Sequence, residues 1–169
     1  IDILVPYAQQ QGYKVKDVRA TARDRGDLQV IKPGWKRPVM VEVKVEERWT
    51  GNLYLERWSN YSRQTPGWVT KCTAHVLWYY FLDADKLVIG AWGPLKEWAM
   101  QDAELWVPRW LREKDTLLVM PTITTFQAKA QGKYQQLNDP RGYIVPVRFL
   151  QDWHMLDENV QTPQRFVTG

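Results

Sequence analysis

The chain is poor in the residues that staple, anchor or clamp a small protein. It holds a single cysteine, Cys72, among 169 residues, so no disulfide can form within it, which predicts a reducing compartment. Two histidines, His75 and His154, are too few and too scattered to join that cysteine in a structural zinc centre. The longest apolar run, Val76 to Leu82, is far shorter than the ~20 residues a membrane-crossing helix needs. No signal-peptide pattern follows Ile1. The chain also lacks a phosphate-binding loop, a dinucleotide fingerprint and a Gly-x-Ser-x-Gly elbow. Internal repeats, low-complexity tracts and long linkers are missing too. These absences predict one compact domain, residues 1–169, soluble and cytoplasmic. Its length is sufficient to bury a core without staples.

What is present is ordinary in amount and unusual in kind. Hydrophobic residues make up 44% and charged residues 25%, the balance of a globular protein. Ten tryptophans stand out, and indoles serve both cores and interfaces. Lysine and arginine outnumber acids 23 to 19, for a net charge of +4. That surplus permits a polyanionic partner without requiring one.

Periodicity predicts a helix over 1–11, ended by Gly12, and strands over 13–19 and 27–31. The clearest strand is 39–46, VMVEVKVE. Its period of two puts Val39, Val41, Val43 and Val45 on one face, and Met40, Glu42, Lys44 and Glu46 on the other. A further strand is expected at 53–56. A helix is expected over 68–81, with Lys71 and His75 sharing a face. A strand at 86–91 and a short helix from Pro94 to about Met100 follow. Beyond that point, 116–120 and 143–149 read as strands and the stretch between them as loop. The order predicts an α/β domain with a central mixed sheet flanked by helices, its short turns making antiparallel pairs and the strand after the long helix joining by a crossover.

Glu42 and Lys44 would therefore project together from one face of a strand backed by valines. If 27–31 folds back on 39–45, Asp27 approaches Glu42, and two carboxylates converge beside an amine. Magnesium prefers such hard oxygen ligands, with water and phosphate oxygens filling the remaining positions. Bound metal can acidify water and offset charge on a phosphodiester. The Val43 carbonyl, between the two side chains, is a further candidate ligand. Lys44 could position or deprotonate the attacking water, or stabilise developing charge. An acid two residues before a lysine occurs once here, at Glu42-Val43-Lys44. Taken alone, that tripeptide is better described as an exposed sheet face with a cross-strand ion pair; the valine-backed strand and the upstream Asp27 shift the reading toward a site.

Residues 25–30, RGDLQV, and 41–46, VEVKVE, resemble the PD-(D/E)XK nuclease superfamily, in which an Asp begins one strand and Glu-x-Lys sits in the next. Residues 50–56, TGNLYLE, and the stretch 67–90 are similar to a phage and bacterial branch of it; GYIVPVRFL near the end resembles that branch's closing strand. The likeness covers about residues 12–90 and implies a restriction-endonuclease-like fold. It also implies a DNA endonuclease using Mg2+, with Mn2+ able to substitute. On this resemblance Asp27 and Glu42 are metal ligands and catalytic residues, Lys44 is the catalytic lysine, and Glu56 matches a later acid that could add a ligand. Gly26 replaces the family's proline. Asp24, in the preceding turn, is a rival to Asp27, and Asp2 is the one acid near the first helix.

Arg48, Arg57 and Arg63, interleaved with Trp49, Trp58 and Tyr61, suit phosphate contact and base stacking, though the aromatics equally suit a structural role; Lys71 and His75 could line the DNA side of the site or lie on a solvated helix face. DNA is the expected partner, and cutting both strands would favour a homodimer. Two other readings remain open: a non-catalytic nucleic-acid-binding protein that keeps the fold, and an interaction module using exposed tryptophans. Asp83 and Asp85 read as turn residues.

Overall fold

The computed structural model describes residues 1–22, 24–101, 118–119, 141–152 and 154–163. Along the chain the elements are α1 (Leu4–Gln10), β1 (Lys14–Asp17), β2 (Leu28–Ile31), β3 (Val39–Glu46), β4 (Asn52–Asn60), β5 (Thr65–Pro66), α2 (Trp68–Lys71), β6 (Val76–Phe81), β7 (Lys86–Ala91), α3 (Trp92–Met100), β8 (Leu118–Val119), β9 (Arg141–Pro146) and α4 (Val147–Asp152). Contacts divide the chain into two compact units: residues 1–51, 72–95 and 147–169 form the first, and residues 52–71 and 96–146 the second. Among the described residues no helix is long and apolar enough to cross a membrane.

The first unit is built on a five-stranded sheet in the order β1-β2-β3-β6-β7. The β1–β2, β2–β3 and β6–β7 pairs are antiparallel, whereas β3 and β6 run parallel. The protein is thus mixed α/β. Val41 and Val43 of β3 join Leu28 and Val30 of β2, Trp78 and Tyr80 of β6 and Leu87 of β7 in one core, onto which α1 packs Leu4, Tyr7 and Ala8. A seven-residue helix is too short to stand alone, so this apolar face is what holds α1. The period of two in β3 is realised as expected at Val41 and Val43, but Val45 is 46% exposed.

The second unit holds a four-stranded sheet in the order β5-β4-β9-β8. Its β4–β5, β4–β9 and β8–β9 pairs are antiparallel. Leu53 and Leu55 of β4 and Val69 of α2 are among its buried residues. The Thr70 hydroxyl donates to the Arg57 carbonyl at 3.0 Å, and the Lys96 ammonium to the Thr70 carbonyl at 3.0 Å.

Three expectations need correction. The helix expected over 68–81 is a four-residue helix, α2, followed by strand β6. Val69, Cys72, Val76 and Tyr79 do fall at helical spacing. However, VLWYYF is a run of β-branched and aromatic residues, and it pairs with β3 through six residues from Val41↔Val76 to Glu46↔Phe81; that parallel pairing overrides the local pattern. Lys71 and His75 therefore share no helix face. The crossover consequently lies between β3 and β6, while β7 follows β6 by a tight antiparallel turn. In that turn Asp85 adopts φ 49 and accepts a hydrogen bond from the Tyr80 hydroxyl at 2.8 Å, as the turn reading of Asp83 and Asp85 requires. Finally, the strand expected over 143–149 ends at Pro146, and Val147–Phe149 open α4. Of the strand expected over 116–120, Leu118 and Val119 are seen as β8; residues 116, 117 and 120, and the loop expected beyond, lie outside the described residues.

Candidate active site on strand β3

The site begins with how Asp27 is held. β2 and β3 pair with Leu28 opposite Val41, so one step further along the register sets Asp27 opposite Glu42. The regular ladder stops there. The Asp27 amide donates to the Val41 carbonyl at 2.8 Å, and the Asp27 carbonyl accepts from the Val18 amide at 2.9 Å. With its backbone pinned on both sides, the Asp27 carboxylate takes the next place in the ladder: its Oδ2 accepts the Val43 amide at 2.8 Å. Asp27 therefore stands just before β2 rather than inside it, with its carboxylate seated on the peptide between Glu42 and Lys44. A strand residue sends its N–H and C=O off the same edge, so the Val43 carbonyl leaves toward Asp27 as well.

Gly26 makes this seat possible. Its φ is +121, and an added Cβ would lie 2.8 Å from the Val41 carbonyl oxygen. That φ is open to glycine and closed to proline, whose ring fixes φ near −65°. Glycine rather than proline before the Asp thus has a backbone reason. Asp24, the rival acid, adopts φ 56 in the turn, and its carbonyl accepts the Thr73 amide at 2.6 Å. Its side chain is exposed, as is Asp2.

Glu42 is 8% exposed, one of two buried polar or charged residues among those described. Burial of a carboxylate is costly unless it is paired, and here Lys44 supplies the partner: its Nζ lies 2.6 Å from Glu42 Oε1. The Lys44 side chain keeps 28% of its surface accessible against 11% for Glu42, so the amine is the more solvent-facing member.

Parallel pairing then lays β6 beside this face, with Glu42 opposite Leu77, Lys44 opposite Tyr79 and Glu46 opposite Phe81. The Tyr79 hydroxyl donates to Glu46 Oε1, and its ring stacks on Phe81 with centroids 5.2 Å apart. Cys72 lies close by. Burial pushes its thiol up to about 12, against the lowering effect of the Ala74 amide, and the Glu42 carboxylate adds to the rise. Cys72 is accordingly a neutral thiol at physiological pH. Tyr79 and Cys72 are the neighbours sequence reasoning missed, because a helix over 68–81 could not set them beside β3. The seven-residue apolar run from Val76 to Leu82 was the signal that could have revealed them.

The other expected site residues are placed as follows. Arg48 is exposed just after β3. Trp49 beside it is occupied structurally: its amide donates to Asp83 Oδ1 at 2.8 Å, its ring meets Phe81 edge-on at 4.8 Å, and Lys86 Nζ stands 4.1 Å over it. The His75 Nδ1 accepts the Met40 amide at 3.0 Å. Glu56, Arg57 and Lys71 belong to the second unit. There Glu56 pairs with Gly142 on β9, and its charge adds to the burial that raises the Tyr54 hydroxyl above its ordinary range. Arg57 lies 6.0 Å over the Trp58 ring, and Lys71 is the exposed last residue of α2. Among the described residues no three His, Cys, Asp or Glu side chains cluster as a ready ligand set; the register alone sets Asp27 opposite Glu42.

No family model matches the chain, and no curated protein or solved structure matches it.

Proposed function

We propose that the chain is a divalent-metal-dependent deoxyribonuclease with Asp27, Glu42 and Lys44 at its centre. The observation that carries this reading is the seat of Asp27 on the Val43 amide, one peptide away from a buried Glu42 that is ion-paired to Lys44. The mixed sheet, with Asp27 just before one strand and Glu-Val-Lys within the next, is compatible with the restriction-endonuclease-like fold that the sequence resembles. The donor set also fits a hard cation: two carboxylates and a carbonyl, with water completing the shell. Asp27, Glu42 and the Val43 carbonyl would hold Mg2+, or Mn2+ in its place. When bound, such an ion lowers the pKa of water and draws charge from a phosphodiester. Lys44, held by Glu42, offers an ammonium that donates to the attacked phosphate as its charge develops. Glu56 is kept as a proposed further ligand, and Arg48, Arg57 and Lys71 as proposed DNA contacts. A phage-type endonuclease, active as a monomer or a homodimer, is the form of the proposal closest to the sequence resemblance.

The second reading is a nucleic-acid-binding protein without catalysis. The complete Asp-Glu-Lys set argues against it, because a degenerate site has usually lost a member. Supercoiled plasmid incubated with Mg2+, and in parallel with EDTA, separates the two. Cleavage that needs the metal, and that falls at least ~10²-fold in Glu42→Ala or Lys44→Ala while DNA retardation on a gel persists, is the expected result. Full cleavage by either variant refutes the mechanism.

A further inference from the structure

The hairpin joining β2 to β3 carries a second set of features that the Asp27–Glu42 site does not use. Its tip, residues 32–38, reads KPGWKRP: three cations, one tryptophan and no acid, and every residue of it is exposed. Pro33 and Gly34 (φ +88) occupy the centre of the turn, and the Trp35 amide donates back to the Lys32 carbonyl at 3.0 Å, the residue pattern of a type II turn. The turn closes on the Trp35 backbone through this bond. The Trp35 ring meets Tyr13 edge-on at 5.8 Å yet stays 42% exposed, and Lys32 Nζ lies 5.7 Å over the Tyr13 ring. Behind the tip is a cavity of about 330 Å³, whose lining includes Tyr13, Trp35, Val39, Val76, Trp78 and Asp157. It opens on the α1 face of the sheet, the face of Val41, whereas Glu42 and Lys44 alternate to the other.

A half-exposed indole, with Lys32, Lys36 and Arg37 on the same short turn and a cavity behind it, suits a flat, uncharged ring attached to a polyanion. We propose that this hairpin tip is a platform for single-stranded nucleic acid. An unpaired base stacks on Trp35 at the mouth of the cavity, and Lys32, Lys36 and Arg37 take the neighbouring phosphates. A duplex keeps its base faces covered, so an unpaired strand is the form that uses the ring. The partner's class rests on the nuclease reading, but strand capture needs no cleavage.

The test is fluorescence anisotropy of a short labelled oligothymidylate in EDTA, with each variant's fold checked by thermal melting. Trp35→Ala is expected to weaken binding at least ~5-fold and Trp35→Phe to restore most of it, since base stacking contributes about 1–3 kcal/mol. Lys36→Ala with Arg37→Ala is expected to flatten the log–log salt dependence by ~1.4, or about 0.7 per lost phosphate contact. Binding by Trp35→Ala within twofold of wild type overturns the proposal, as does an equal loss on duplex and single strand. Wild-type protein that binds the oligonucleotide but cuts no DNA with Mg2+ sinks the nuclease reading and leaves this one standing. Tight binding by Trp35→Ala in a protein that does cut sinks only this one.

Discussion

Glu42, Lys44 and Cys72 act on one another: Lys44 pairs with the buried Glu42, and the Glu42 carboxylate helps raise the buried Cys72 thiol. Removing Lys44 leaves a carboxylate 8% exposed without its ion partner, so Lys44→Ala is expected to cost stability as well as activity. Lys44→Met, which keeps the volume without the charge, leaves the same carboxylate unpaired and should melt no higher than Lys44→Ala; recovery of the wild-type melting temperature by the methionine variant would show that the ion pair contributes nothing. Cys72 gives an independent reading of the same neighbourhood. A thiol held up to about 12 by burial reacts slowly. Alkylation at pH 8 should therefore be far slower in the native protein than in denaturant, and rapid native labelling would contradict the buried placement. The linkage sign follows from the raised value. The native thiol keeps its proton to higher pH than the unfolded one, whose ordinary value is 9.0. Its contribution to stability is full below about pH 9 and fades as pH rises toward 12. Cys72→Ser should reduce the alkaline slope of stability, measured by urea unfolding from pH 8 upward; an unchanged slope would count against it.

At the scale of elements, the turn before β2 and the strand pairing of β3 decide whether a site exists. Gly26→Ala forces a Cβ to within 2.8 Å of the Val41 carbonyl at a φ of +121, and is expected to cost more than ~1 kcal/mol while displacing Asp27. Unaltered melting and activity in that variant would show that the turn is not a constraint. Helix α1 is held by packing, so Leu4→Ala, at a fully buried position, should cost about 2–5 kcal/mol in a urea titration. The strand at 39–46 was legible in the sequence to the residue, because alternation over eight positions with valines on one side leaves little choice. The strand at 86–91 was legible too. Residues 76–81 were not: a strand buried from Leu77 to Phe81 shows no alternation, and its identity comes from pairing with β3, to which sequence-local spacing is blind. The proximity of Asp27 to Glu42 was inferable from the short connection between their strands. The way it is achieved, a carboxylate completing a broken ladder, depends on φ at Gly26 and could not be read.

For the whole molecule, the mild net charge of +4 sets how the pieces would act together. Any nucleic acid held by this protein is held by local clusters of cations rather than by a strongly basic surface, so affinity should be modest and steeply salt-dependent. The proposed cation is shared by two acids where the β2–β3 pairing ends. Its most direct test is a crystal of the wild-type protein soaked in Mn2+ and measured at the manganese absorption edge. The account expects an anomalous peak bonded to carboxylate oxygens of both Asp27 and Glu42, and its disappearance in Glu42→Ala. A well-ordered Asp27 and Glu42 with no peak between them at millimolar Mn2+, or with the ion bound by other residues, would contradict it.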